Sequence, residues 1–328
     1  MLLSLIFACS ILKNLSSDSE NLEEKDPVEV DILIVMDNSA SMWDEGAALG
    51  LHLEELLSES DDQSISYQIG ITTSSVDYSG AGNSENIEPG EGGLFVGDII
   101  RADDDSPIEL LREQLFCETI YWDAVDLMDP DNQDPDYVCG DETENISVQY
   151  LDCLCGVNGW ENPMGSGMEE LLEAALLATC RSKSSVPQDC YDPNTVFFQE
   201  DLGSNDSLFR ENAESLIIFI GDEGDSSRRV PFPETNVDVY TEAFAAFQKH
   251  SFTFVSLGPN YDESSNSISC NSGGASDAGV QRLINMSLYS ANEGLYLPLG
   301  IEDDNGNCQL ADFSAHMTEI NALIYELD

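Results

Sequence analysis

Three short segments carry residue types that could gather oxygen ligands around a small cation. Asp37-Asn38-Ser39-Ala40-Ser41 sets one carboxylate and two hydroxyls at single-residue intervals, a spacing that lets a tight loop turn three oxygens toward one point. Gly221-Asp222-Glu223-Gly224-Asp225 supplies further carboxylates, and Gly165-Ser166-Gly167 another hydroxyl. A hard, small ion such as Mg²⁺ takes oxygen ligands in an octahedron and keeps some of its waters. Each segment alone has a plainer reading. Asp and Ser are favoured helix N-caps, which would account for Asp37, and Asp222 suits an ordinary strand-end turn. A five-residue pattern also recurs by chance in a chain rich in Ser and Asp. Placement decides between these readings.

The elements around the segments read as alternating strands and helices. Val28 to Met36 begins with alternation and ends in a continuous apolar run, as a strand entering the middle of a parallel sheet does. Asp37 stands at its carboxyl end. Helical spacing follows over Asp44 to Ser58, then a strand at Tyr67 to Thr73 and another at Gly93 to Ile100. A helix is predicted from Met168 to Thr179, opened by the Gly165-Ser166-Gly167 segment. Ser215 to Ile220 is the most hydrophobic strand after the first and therefore central, ending just before Asp222. Helices at Val239 to His250 and Asp277 to Ser290 flank strands at Phe252 to Leu257 and Gly294 to Leu299. The last helix carries Leu310, Phe313, Met317, Ile320, Ile324 and Leu327 as one stripe. Such alternation predicts an α/β fold: a doubly wound, Rossmann-like, mostly parallel sheet with helices on both faces. Ligands of such sheets bind beyond the carboxyl ends of the strands, where Asp37 and Asp222 both fall.

Together, the D-x-S-x-S loop, the strand-end Asp222 and the hydroxyl at Ser166 resemble the von Willebrand factor type A domain and its metal-ion-dependent adhesion site. The resemblance runs in element order over roughly residues 28 to 328. It implies Mg²⁺, with Mn²⁺ or Ca²⁺ as substitutes, held by Asp37, Ser39, Ser41 and Ser166 and through Asp222. The family usually has Thr where Ser166 stands. Gly165 to Glu169 and the stretch from Phe209 through Asp222 to Ser227 are similar to a bacterial envelope subgroup. The implied function is non-enzymatic, metal-dependent protein binding or adhesion, in which an Asp or Glu of a partner protein completes the coordination.

The charge sets outer bounds. Lys and Arg number 11 against 64 Asp and Glu, a net charge of −53. That excludes nonspecific binding to nucleic acid or to an anionic membrane surface, because phosphate contacts need cationic side chains. Hydrophobic residues make up 41%, enough for a packed fold rather than a disordered acidic chain. The acid is dispersed rather than gathered in a tail, which reads as a surface suited to saline surroundings, where ions screen self-repulsion. The plainer alternative is an acidic surface with no such meaning.

Nine Cys leave one over if they pair. Cys9 ends an apolar stretch, and Ile6-Phe7-Ala8-Cys9 resembles a bacterial lipobox, although no basic residue precedes the stretch and Phe7 is bulky for its slot. Residues 1–8 are then a short lipoprotein signal segment, and residues 9–27 a lipidated Cys9 with an acidic tether. The expected location is the bacterial cell envelope, as an outer-membrane lipoprotein or a periplasmic or cell-surface protein, with membrane contact only through the anchor. The other eight, Cys117, Cys139, Cys153, Cys155, Cys180, Cys190, Cys270 and Cys308, are disulfide candidates in an oxidising compartment. Of the 105 possible pairings the sequence selects none. Cys270 with Cys308, and the other six among themselves, is the most parsimonious arrangement. Residues 103–160 read as an irregular, disulfide-rich insertion.

Other chemistry finds little support. His52, His250 and His316 show no zinc spacing, and no G-x-S-x-G, H-E-x-x-H or phosphate-binding loop with Lys occurs. Asp129 to Asp136 lacks the Gly and Glu of an EF-hand. Two rival functions stay open: a metal-dependent hydrolase using Asp222 or Glu223 as base, and a metal-independent interaction protein that works through the insertion.

Overall fold

The computed structural model describes residues 27–58, 65–76, 90–119, 169–183, 185–191, 204–205, 207–247, 251–262, 264–265, 267–270, 275–290, 294–303 and 305–327. The first strand, β1 (Val28–Met36), is buried along almost its whole length. It lies at the centre of the sheet between β2 (Ile65–Thr73) and β4 (Glu214–Ile220), parallel to both. The remaining strands are β3 (Ile100–Arg101), β5 (Phe252–Gly258) and β8 (Leu295–Pro298), giving the order β3-β2-β1-β4-β5-β8. All pairs are parallel except β2 with β3 at the edge. The fold is therefore mixed α/β with a mostly parallel central sheet, as the alternation predicts.

Period-two alternation in the strands divides the core into two layers. Val30, Ile32, Ile34 and Met36 of β1 face one way, onto α1 (Trp43–Gly50), α2 (Leu53–Leu56), α3 (Pro107–Arg112) and α7 (Phe313–Glu326). Leu33 and Val35 face the other, onto α4 (Leu171–Arg181), α5 (Asp238–Ala245) and α6 (Asp277–Leu288). Every residue of α4 is buried, so this helix fills the space over the centre of the sheet. Asp31 breaks the apolar run of β1 and is fully buried. Arg210 compensates, donating from its backbone amide and, at 2.7 Å, from Nε to the Asp31 carboxylate.

Several boundaries differ from expectation. The strand expected at Gly93 to Ile100 reduces to β3, because Gly90 and Gly93 take positive φ and turn the chain. A Cβ at Gly93 would stand 2.5 Å from the Ala178 nitrogen of α4, so only Gly permits that approach. The helix expected over Asp44 to Ser58 is two pieces, broken after Gly50. Leu310 belongs not to the final helix but to β10 (Cys308–Leu310), which pairs antiparallel with β9 (Gly300–Glu302). It is 40% exposed, while Phe313, Met317, Ile320 and Ile324 are buried. Asp312 caps α7 by accepting from the Ala315 amide at 3.1 Å, and a cap at that place starts the helix after Leu310. A second hairpin, β6 (Asn260–Asp262) with β7 (Ser267–Cys270), was not legible in the sequence.

Cys270 is bonded to Cys308, joining the two hairpins, and Cys180 to Cys190. Cys117 is also disulfide-bonded. Cys139, Cys153, Cys155 and most of the 103–160 insertion lie outside the described residues, as do Cys9 and the 1–26 segment. No helix among the described residues is long and apolar enough to cross a membrane.

Candidate metal centre

The order of the sheet creates the site. From β1 the chain winds outward to β2 and β3 on one side, and from β4 outward to β5 and β8 on the other. The loops after β1 and β4 therefore diverge and leave a crevice between their carboxyl ends. Two backbone bonds fix its floor: Asp37 N–H donates to Ile220 O at 2.8 Å and Gly221 N–H to Leu257 O at 3.0 Å. A Cβ on Gly221 would lie 3.2 Å from Asp37 Oδ2, so a side chain there would crowd the carboxylate.

Four of the five expected ligand residues meet in this crevice. Asp37 Oδ1 accepts from the Ser39 amide at 2.8 Å, and the Ser39 hydroxyl also faces that carboxylate. Ser39 Oγ and Ser41 Oγ are 2.9 Å apart, and Ser41 Oγ donates to Asp222 Oδ1 at 3.3 Å. Asp37 is fully buried and Asp222 is 2% exposed. Asp37 does not cap α1, which begins at Trp43 with no side-chain cap. Ser166, the fifth, lies outside the described residues.

Charge shows what this arrangement lacks. Four other buried acids have an arginine: Asp31 has Arg210, Glu170 has Arg228, Glu173 has Arg229, and Asp225 has Arg282. Among the described residues no such cation faces Asp37, and its Oδ2 is buried with no hydrogen-bond partner. Burial, then the charge of Asp222, raises its carboxyl from 3.8 to about 8. Isolated buried charge is costly and calls for a counterion.

The donor set fits a small divalent cation. Adjacent oxygens of an Mg²⁺ octahedron, with bonds of about 2.0–2.1 Å, stand about 2.9 Å apart. The Ser39–Ser41 and Ser41–Asp222 separations of 2.9 and 3.3 Å approach that edge length. Among the described residues no three of His, Cys, Asp and Glu gather closely enough to enclose a cation alone. A metal here would be held by hydroxyls as well as carboxylates, as the Ser39 and Ser41 oxygens beside Asp37 and Asp222 allow. His52 and His316 take no part, facing Glu55 and the Pro298 carbonyl; His250 lies outside the described residues.

The rim of the crevice carries residues that the sequence shows but to which it assigns no place in the ligand set. Glu169, just before α4, is 2% exposed, and its Oε1 has no partner. Asp225 and Ser227 receive the first amides of α4, from Leu172 and Glu173, both at 3.0 Å. They tie the loop after Asp222 to the helix after Glu169. Of these, only the hydroxyl and carboxylate of a D-x-S could have been noticed in the sequence, since the bonds span more than 50 residues.

No protein-family model matches this chain, and no characterised protein does.

Proposed function

We propose that the chain is a von Willebrand type A module that binds a protein partner through a divalent cation, Mg²⁺ first, without catalysing a reaction. The observation that carries this reading is the buried Asp37 Oδ2, which has no partner although Ser39, Ser41 and Asp222 gather their oxygens beside it. The mostly parallel sheet is consistent with the Rossmann-like fold that the resemblance implies. Asp37, Ser39 and Ser41 present oxygens from one loop and Asp222 faces them from the other; Ser166, outside the described residues, is the further hydroxyl that the resemblance implies. When bound, the cation supplies an electrophilic centre with exchangeable water positions, at which an acidic side chain of a partner can be received. The chain's own residues hold that centre: Gly221 leaves room beside Asp37, and the Ser39 amide orients its carboxylate. The disulfides suit an oxidising compartment, in keeping with an envelope protein lipidated at Cys9.

The partner reading is tested on the Mn²⁺-loaded protein, in NaCl concentrated enough (about 1 M) to screen the −53 charge. A short acidic peptide that enters the coordination displaces water and lowers water-proton relaxivity. Asp37→Ala should show neither the bound-metal relaxivity nor its loss. A relaxivity that no acidic peptide changes would leave the metal in place and remove the carboxylate partner. Turnover of phosphoesters or peptides that disappears in Asp37→Ala would instead establish the hydrolase.

A further inference from the structure

We propose that Glu169 is a positioning residue of the metal centre, accepting a hydrogen bond from a water that the cation retains, and that it thereby sets much of the affinity. This rests on the metal-binding reading of Asp37, Ser39, Ser41 and Asp222. Glu169 comes from a different part of the chain, the entry to α4, and two backbone bonds carry it to the crevice. The Glu170 amide donates to Ser74 O at 3.0 Å, and the Ser74 amide donates to Met36 O at 2.9 Å, next to Asp37. On the other side the Ser226 amide donates to Glu169 O at 2.7 Å, joining it to the loop that carries Asp222.

Of seven buried side-chain atoms with no hydrogen-bond partner among the described residues, Asp37 Oδ2 and Glu169 Oε1 belong to carboxyls close enough to feel each other's charge, and the Ser74 hydroxyl is on the residue whose backbone joins Met36 to Glu170. Buried polar groups are nearly always satisfied, so two unpartnered carboxyl oxygens at one crevice point to a ligand and its water there. The Glu169 carboxyl is held by a hydrogen bond with Glu223, and after burial the charge it feels most is that of Asp37. Direct ligation does not fit, because no three acids among the described residues stand close enough to enclose a cation. A water between Glu169 and the metal meets both constraints. Mg²⁺ keeps several waters, and those waters need acceptors. Glu169 Oε1, buried and without a partner, offers one.

The test is calorimetric titration of Mg²⁺ and Mn²⁺ into the full chain, Glu169→Gln and Asp37→Ala, with thermal unfolding of each in chelator. Glu169→Gln keeps shape and removes charge. Its metal affinity should fall about 10- to 100-fold, as for other groups that orient a metal's ligands, with the number of sites unchanged. Its metal-free melting temperature should rise or hold, since an uncompensated buried acid is gone; a residue needed only for packing would not give that pair of results. If Asp37→Ala loses the site while Glu169→Gln binds like the parent, the proposal for Glu169 is overturned and the metal centre stands. If Asp37→Ala also binds like the parent, the underlying metal reading fails.

Discussion

Arg282→Met is a sharp perturbation of the loop that carries Asp222. Arg282, on α6, is 1% exposed, and its guanidinium binds four backbone carbonyls of one segment. Nε donates to Glu234 O at 2.8 Å, Nη2 to Val230 O at 2.9 Å, and Nη1 to Ser227 O and Asp225 O at 3.1 and 3.3 Å. Nη1 also lies 3.5 Å from Asp225 Oδ2. Methionine keeps the apolar stem but leaves those carbonyls without donors and Asp225 without its counterion. Removing one partner of a buried charged pair costs about 3–5 kcal/mol. Orphaned carbonyls add to the loss, and water entering a loosened loop returns part of it. A net loss of about 3–5 kcal/mol is expected, roughly 10 °C in melting temperature for a domain of this size. Urea unfolding at fixed NaCl measures it. The folded variant should also bind Mn²⁺ about tenfold more weakly, because the loop orienting Asp222 is no longer pinned. A stability loss below about 1 kcal/mol would show that water serves these carbonyls as well as Arg282 does, and would refute the reasoning.

Asp225 provides a pH test. Burial raises its carboxyl from 3.8 to about 6, against the lowering effects of Ser227, the Leu172 amide and Arg282. The folded chain thus holds a proton that the unfolded chain has already released between those values, so this residue's contribution to stability declines as pH rises through that window. Asp225→Asn should flatten that part of the stability–pH curve, and urea midpoints with the parent's slope would contradict the assignment. In α7, Ile320→Ala should cost about 2–5 kcal/mol and Leu310→Ser less than about 0.5 kcal/mol, because Ile320 is fully buried and Leu310 sits on an exposed hairpin. Equal effects by thermal unfolding would return Leu310 to the core stripe. Opening the Cys270–Cys308 bond, which spans 38 residues, should cost up to about 4 kcal/mol by chain entropy. An unchanged urea midpoint for the double Ser variant would show that the two hairpins need no clamp.

Local periodicity made the centre of the fold legible. β1 and β4 each end in a continuous apolar run, Ile32 to Met36 and Leu216 to Ile220, and Phe313, Met317, Ile320 and Ile324 repeat at helical spacing, so pattern alone indicates what each buries. The same reasoning placed Asp37 and Asp222 at strand ends, where the fold brings them together. It failed where a distant partner decides the outcome. Leu310 fits the helical period, but Asp312 caps the helix and pairing with β9 draws Leu310 into a strand. Asp31 is tolerable in β1 only because Arg210, 179 residues away, binds it. Glu169 looked like one acid among 64. Its burial depends on Ser74 and Ser226, and no spacing within its own segment encodes those bonds.

Calorimetric titration of Mn²⁺ into the protein and into Asp37→Ala, in about 1 M NaCl to suppress diffuse cation binding, tests the central claim most directly. One saturable site in the parent that is lost in Asp37→Ala is the predicted result. Superimposable isotherms would contradict the claim and leave Asp37 as a carboxyl that only orients the Ser39 amide.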